Sequence, residues 1–273
     1  MPTPRFGGSP FGSQPGTATG RCHTDDMDAL FGAFAGALTA AGSGAVAGSL
    51  LLLGAAIAWF VRVPSGVVAG VTAFGAGVLI SALAYELVAE AHADGGLLPT
   101  VLGFALGALV YVGAAELVDA RGRRLGEREE RGGTAILIGA LVDGIPESIV
   151  LGASVAATGG LSLPIVLAIA ISNLPEGLAS SAGMKASGRS AGYVFGVWGA
   201  VVAVSALAAT LGYLVLRDAG PEVSAFVTTI AAGGILAMVC NTMIPTAFAR
   251  DRAATGLLAT AGFLVAFTIS HVG

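Results

Sequence analysis

The chain has 273 residues, 55% of them apolar and 11% charged, with a formal net charge of −4 and a mean hydropathy of +0.85. Soluble domains carry about 25% charged residues, so there are too few charges here to cover a water-facing surface, and a water-soluble globular protein is excluded. The two cysteines, Cys22 in a polar tail and Cys240 inside an apolar run, give no disulfide framework.

The first 28 residues are rich in Gly, Pro, Ser and Thr and end in Asp25-Asp26-Met27-Asp28. Residues 1–29 read as a disordered tail ahead of a membrane domain over 30–273. Acid rather than Lys or Arg precedes the first apolar run, which argues against a signal peptide.

Apolar runs then follow that reach or exceed the roughly 20 residues a helix needs to cross a bilayer. The run 30–61 is too long for one straight crossing, so the first membrane helix is placed at 40–61 with an interfacial piece before it. Further helices are predicted at 67–91, 97–118, 133–157, 161–184, 190–216, 223–248 and 254–272. Asp94-Gly95-Gly96, Gly159-Gly160 and Gly220-Pro221 mark breaks between them with turn chemistry. The fold class is therefore all-α, with eight transmembrane helices.

Orientation follows from the side on which Lys and Arg collect. Arg62, Arg121, Arg123, Arg124, Arg128, Arg131, Lys185, Arg189, Arg250 and Arg252 fall on one side. Only Arg5, Arg21 and Arg217 fall on the other. The alternation predicts outward N- and C-termini, and it puts the long hydrophilic loop 119–132 in the cytoplasm. Such a chain is expected as a multi-pass protein of the plasma (inner) membrane.

Six acidic residues lie within or at the ends of these spans: Glu86, Glu90, Glu116, Asp143, Glu147 and Glu176. An ionisable group in hydrocarbon costs about 2.5–3.5 kcal/mol on insertion scales, so such groups usually face a bundle interior or a pathway. Glu90 and Glu116 lie near helix ends, within reach of the interface. Asp143, Glu147 and Glu176 are mid-span. His92 and His271 fall at helix ends, and Cys240 reads as a packing residue.

Two of the mid-span acids sit in a repeated pattern. The fourth segment contains Asp143-Gly144-Ile145-Pro146-Glu147-Ser148, and the fifth contains Ser172-Asn173-Leu174-Pro175-Glu176-Gly177. Asp143 and Glu147 share a helix face at a spacing of four, as do Ser172 and Glu176. Pro146 and Pro175 have no N–H to offer the carbonyls of Val142 and Ile171. Irregular backbone at membrane depth is tolerated where it lines a cavity. Carboxylates, an amide, a hydroxyl and free carbonyls together suit a cation.

These paired motifs resemble those of the ZIP family of divalent metal-ion transporters, closest to its GufA and ZupT-like branch. There the fourth and fifth helices typically read His-Asn-x-Pro-Glu-Gly. Gly75-Ala76-Gly77-Val78 leading to Glu90 is similar to the family's second helix, and Ala232-Gly233-Gly234-Ile235 through Met243-Ile244-Pro245 to its seventh. The resemblance implies eight helices, outward termini and movement of a divalent metal to the cytoplasm by alternating access of one bundle against another. It implies a metal site from Asp143, Glu147, Ser172, Asn173 and Glu176, with Glu86 as an added carboxylate.

The departures fall on the ligands. Asp143 and Gly144 stand where the family has His-Asn, and Ser172 replaces the second histidine while Asn173 is kept. Ser205 stands nearest the helix-six glutamate of a second metal site, and Asn241 and Thr242 replace acids in helix seven. An all-oxygen set is harder than one with imidazole and suits magnesium, calcium and manganese, although zinc also accepts carboxylates. The expected substrate is zinc by resemblance, or manganese or iron, with no resident cofactor.

The expected partners are that cation and the lipid bilayer, with homodimerisation open and no nucleic acid. The alternative function is a degenerate ZIP-fold protein that has lost transport and serves as scaffold or sensor. An enzyme is not expected. An intramembrane aspartyl protease needs two catalytic aspartates, and only Asp143 lies mid-membrane.

Overall fold

A computed structural model describes residues 18–124, 134–248 and 252–272. All regular structure among these residues is helical. Eight helices are long and apolar enough to cross a membrane, so the chain is an all-α, eight-span, multi-pass membrane protein. We number them α1 (Ala18–Phe60), α2 (Ser65–Gly95), α3 (Leu97–Arg124), α4 (Thr134–Thr158), α5 (Leu163–Ala186), α6 (Ala191–Leu216), α7 (Pro221–Phe248) and α8 (Arg252–Val272).

The breaks follow the turn residues. Gly96, Gly159 and Gly188 hold φ values of 85°, 71° and 79°, a left-handed backbone that costs glycine nothing, and each follows the end of a helix. Pro164 and Pro221 open α5 and α7, where the missing N–H is no loss. The helices differ from expectation mainly at their starts and ends. α1 begins at Ala18, inside the stretch read as disordered tail and well before residue 40. Nothing from Ala18 to Phe60 is a proline, so no residue obliges that helix to start later. α3 runs on to Arg124, into the expected loop; residues 125–133 of that loop and residues 1–17 of the tail lie outside the described residues.

From Gly36 onward the helices divide into two bundles by how closely their backbones approach. A Cβ at Gly54 would overlap the carbonyl oxygen of Leu174, and one at Gly177 that of Leu51, so α1 and α5 cross with no room for side chains. Gly152 meets Ala209 in the same way, and Gly44 lies against the backbone of Ser205, which joins α4 and α1 to α6. A compact core of Leu51, Ala55, Ala140, Met184, Val194, Trp198 and Val201 draws on all four helices. On the other side Gly77 and Gly262 press α2 on α8, and Gly107 and Gly233 press α3 on α7. Small residues serve this purpose in membranes because lipid tails are as apolar as leucine, so close packing has to supply the attraction. One bundle is thus α1, α4, α5 and α6; the other is α2, α3, α7 and α8.

Two helices carry wide turns. Leu83–Val88 of α2 and Val239–Met243 of α7 are π-helical, an arrangement frequent at functional sites. The wide turn carries Cys240 to the surface, so this thiol is exposed and not the packing residue the sequence suggests.

Candidate metal centre

α4 and α5 continue through Pro146 and Pro175 without breaking, and they carry the two motifs side by side into the protein interior. Glu147 is 2% exposed, and its Oε1 atom has no hydrogen-bond partner among the described residues. Leaving a buried polar group unsatisfied is costly, so this side chain is poorly explained by packing alone. Asp143 lies one turn before it on α4. Glu176 feels the charges of both Asp143 and Glu147, so three carboxylates from two helices form one electrostatic neighbourhood.

Asp143 and Glu176 line a cavity of about 290 Å³ with Thr72, Pro175, Ala179, Ser180, Met238, Thr242, Met243 and Thr246. These residues lie in the halves of α2, α4, α5 and α7 nearest the end of the molecule that carries Arg62, Lys185 and Arg189. Glu147 stands one turn deeper and does not line the cavity.

The expected ligands are brought together only in part. Ser172 is buried beside Glu147, and its hydroxyl donates to the Ile169 carbonyl of its own helix at 2.9 Å. The Asn173 Nδ2 donates to the carbonyl of Ala47 on α1 at 3.0 Å, which leaves Oδ1 as the atom a cation would use. The bond pins α5 to α1.

Glu86 is not brought to this site. It sits in the π turn of α2, accepts a hydrogen bond from Ser270 of α8, and lines a different cavity of about 380 Å³ at the opposite end. Glu90, Asp94, Ser154, Thr158 and Arg217 line that second cavity with it. The fold divides the acids of α2 from those of α4 and α5 by one layer of apolar side chains. Leu79, Leu83, Leu87, Val150, Ile165, Ile169 and Ile235 enclose a void of only about 10 Å³ between the two cavities. A void that small barely admits one water, so the two cavities are separated.

Sequence reasoning missed Tyr111. It is 6% exposed on α3, donates from its hydroxyl to Asp143 Oδ1 at 2.8 Å, and stands 3.4 Å from Thr242 Oγ1. A buried tyrosine usually finds a hydrogen-bond partner, so a phenol in the middle of the third span was the signal available. Its partner was not, because the pairing joins residues 32 positions apart.

Among the described residues, no three His, Cys, Asp or Glu side chains converge tightly enough to form a ready-made metal cage. The arrangement is looser: two carboxylates on an open cavity, a third behind them, and hydroxyls from Thr72, Ser180, Thr242 and Thr246 around the rim. Such a set attracts a cation and presents it with hard oxygen donors. No protein-family model matches the chain, and no curated protein matches it.

Proposed function

We propose that the protein is a ZIP-like transporter that moves a divalent cation toward the cytoplasm through the Asp143–Glu147–Glu176 neighbourhood. One observation carries this reading. Carboxylates too costly for a lipid-facing helix meet at membrane depth beside a cavity approached from one end, and apolar side chains close the way to the other. Alternating access requires such a half-open path. With the Lys/Arg-rich end in the cytoplasm, this arrangement is the inward-facing one.

Asp143 and Glu176 would meet the ion first, and Glu147 would complete the charge from behind. The donors are oxygens, so manganese suits the site on hardness, while zinc is the substrate the motif resemblance favours and iron is the third choice. The reading also places the protein in the plasma or inner membrane with both termini outside.

Radiometal uptake into proteoliposomes tests the reading, comparing wild type with a Glu147→Ala/Glu176→Ala variant. Saturable uptake by wild type and background uptake by the variant is the expected outcome; equal uptake by the two removes the site assignment. Competition among zinc, manganese, iron and magnesium then ranks the substrates.

A second reading is favoured by the looseness of the donor set among the described residues. In it the fold has lost transport and serves as a membrane scaffold or sensor. That reading predicts no saturable metal binding when the purified protein is titrated by calorimetry.

A further inference from the structure

Among the described residues, the side-chain hydrogen bonds that tie distant helices together keep, with one exception, to a single bundle. Asn173 reaches the backbone of Ala47, Lys185 that of Trp59, and Trp198 the hydroxyl of Ser181, all within the bundle of α1, α4, α5 and α6. Ser270 reaches Glu86, Thr255 the carbonyl of Ala247, and Tyr111 stands beside Thr242, all within the bundle of α2, α3, α7 and α8. Between described residues, the bond from Tyr111 to Asp143 alone crosses from one bundle to the other. Elsewhere among the described residues the bundles meet in van der Waals contact, as where a Cβ at Gly75 would lie 3.3 Å from Ser172 Cα and one at Gly234 3.6 Å from Pro146 Cγ. The crossing bond lands on a carboxylate that lines the cavity.

We propose that Tyr111 is a positioning residue that ties the hold on the cation to the arrangement of the two bundles. This rests on the transport reading above. In the arrangement seen here the phenol O–H is spent on Asp143 Oδ1, so that oxygen gives part of its electron density to a proton and less to a metal ion. An O–H···O hydrogen bond spans about 2.5–3.0 Å and is lost by about 3.6 Å, so a slide of one bundle along the other by little more than 1 Å breaks this one. Asp143 then offers both oxygens undiminished. Tyr111 therefore weakens the grip while the cavity faces the Lys/Arg-rich end and restores it when the bundles shift. It also stabilises the present arrangement, since the bond exists only there.

The test uses Tyr111→Phe, which keeps the ring and loses only the hydroxyl. In proteoliposomes, KM for manganese or zinc is expected to fall about three- to tenfold, the scale of a typical net intramolecular hydrogen bond, and Vmax to fall with it as release slows. A purely structural tyrosine would lower Vmax with the amount of folded protein and leave KM unmoved, and that result overturns the proposal.

A second readout needs no cargo. In a background with Cys22→Ser and Cys240→Ser, thiol labelling is measured at Ser180→Cys, which lines the site cavity, and at Ser154→Cys, which lines the opposite one. Adding Tyr111→Phe should slow labelling at position 180 and speed it at 154, each by threefold or more on the order of the same bond energy. Asp143→Asn keeps an acceptor oxygen and should leave both rates as in the parent, whereas Asp143→Leu should match Tyr111→Phe. Unchanged labelling in Tyr111→Phe overturns the proposal. Wild-type protein that takes up no metal removes the transport reading instead, and the labelling result then decides the role of Tyr111 independently.

Discussion

Glu147 and Glu176 are electrostatic neighbours on adjacent helices, yet only Glu176 lines the cavity while Glu147 lies behind it, 2% exposed and with an unsatisfied oxygen. The sequence treats the two glutamates alike, since each follows a proline in a matched motif. The fold gives them different work. One faces the cavity, and the other is buried behind it.

Glu147→Met separates stability from function at this position. Replacing a buried, poorly satisfied polar group by an apolar side chain of similar length removes a cost of about 1–3 kcal/mol. The thermal midpoint of the purified protein in detergent should therefore rise, while metal uptake falls to background. A midpoint that drops would show that Glu147 is a structural partner whose bonds this arrangement does not display.

Glu86 lies in the other cavity, held by Ser270. Glu86→Gln should accordingly leave the stoichiometry and affinity of metal binding at the Asp143–Glu176 site unchanged in a calorimetric titration. Loss of one bound ion per chain would return Glu86 to the ligand set.

The α1–α5 crossing tests the packing account. A methyl group at Gly177 would meet the Leu51 backbone, with Cα 2.7 Å away, whereas one at Gly183 of the same helix meets nothing. Gly177→Ala should cost about 1–3 kcal/mol, as overpacking typically does, and read as a lower melting midpoint. Gly183→Ala should be tolerated. Similar midpoints for both would mean that α1 and α5 part easily.

Orientation is open to a direct experiment. In a cysteine-free background, Glu222→Cys at the start of α7 should react with an impermeant thiol reagent on intact cells. Arg62→Cys, at the opposite end, should react only after the membrane is opened. The reverse pattern would invert the topology and make the site cavity outward-facing.

The sequence alone was enough for the number of spans, the approximate limits of all but the first, and the two motifs, because each depends on local chemistry. Length and hydropathy decide whether a segment crosses, glycine and proline decide where it stops, and a carboxylate in an apolar run is costly wherever it lies. What it could not supply was any relation between distant helices. The three carboxylates of α4 and α5 were legible because a spacing of four residues and a motif repeat bring them together. Glu86 was grouped with them because it is equally acidic and equally apolar in its surroundings, and only packing shows the layer of Leu83, Val150 and Ile169 that separates it.

The sequence offers Asn173 as a ligand, and the fold shows that its amide nitrogen also ties α5 to Ala47 of α1. No motif in the sequence singles out Tyr111; its role rests on the hydroxyl that reaches Asp143. Composition and periodicity fix what a helix can bury. Which groups face each other is decided by the glycine crossings that set how two bundles close, and those exist only in three dimensions.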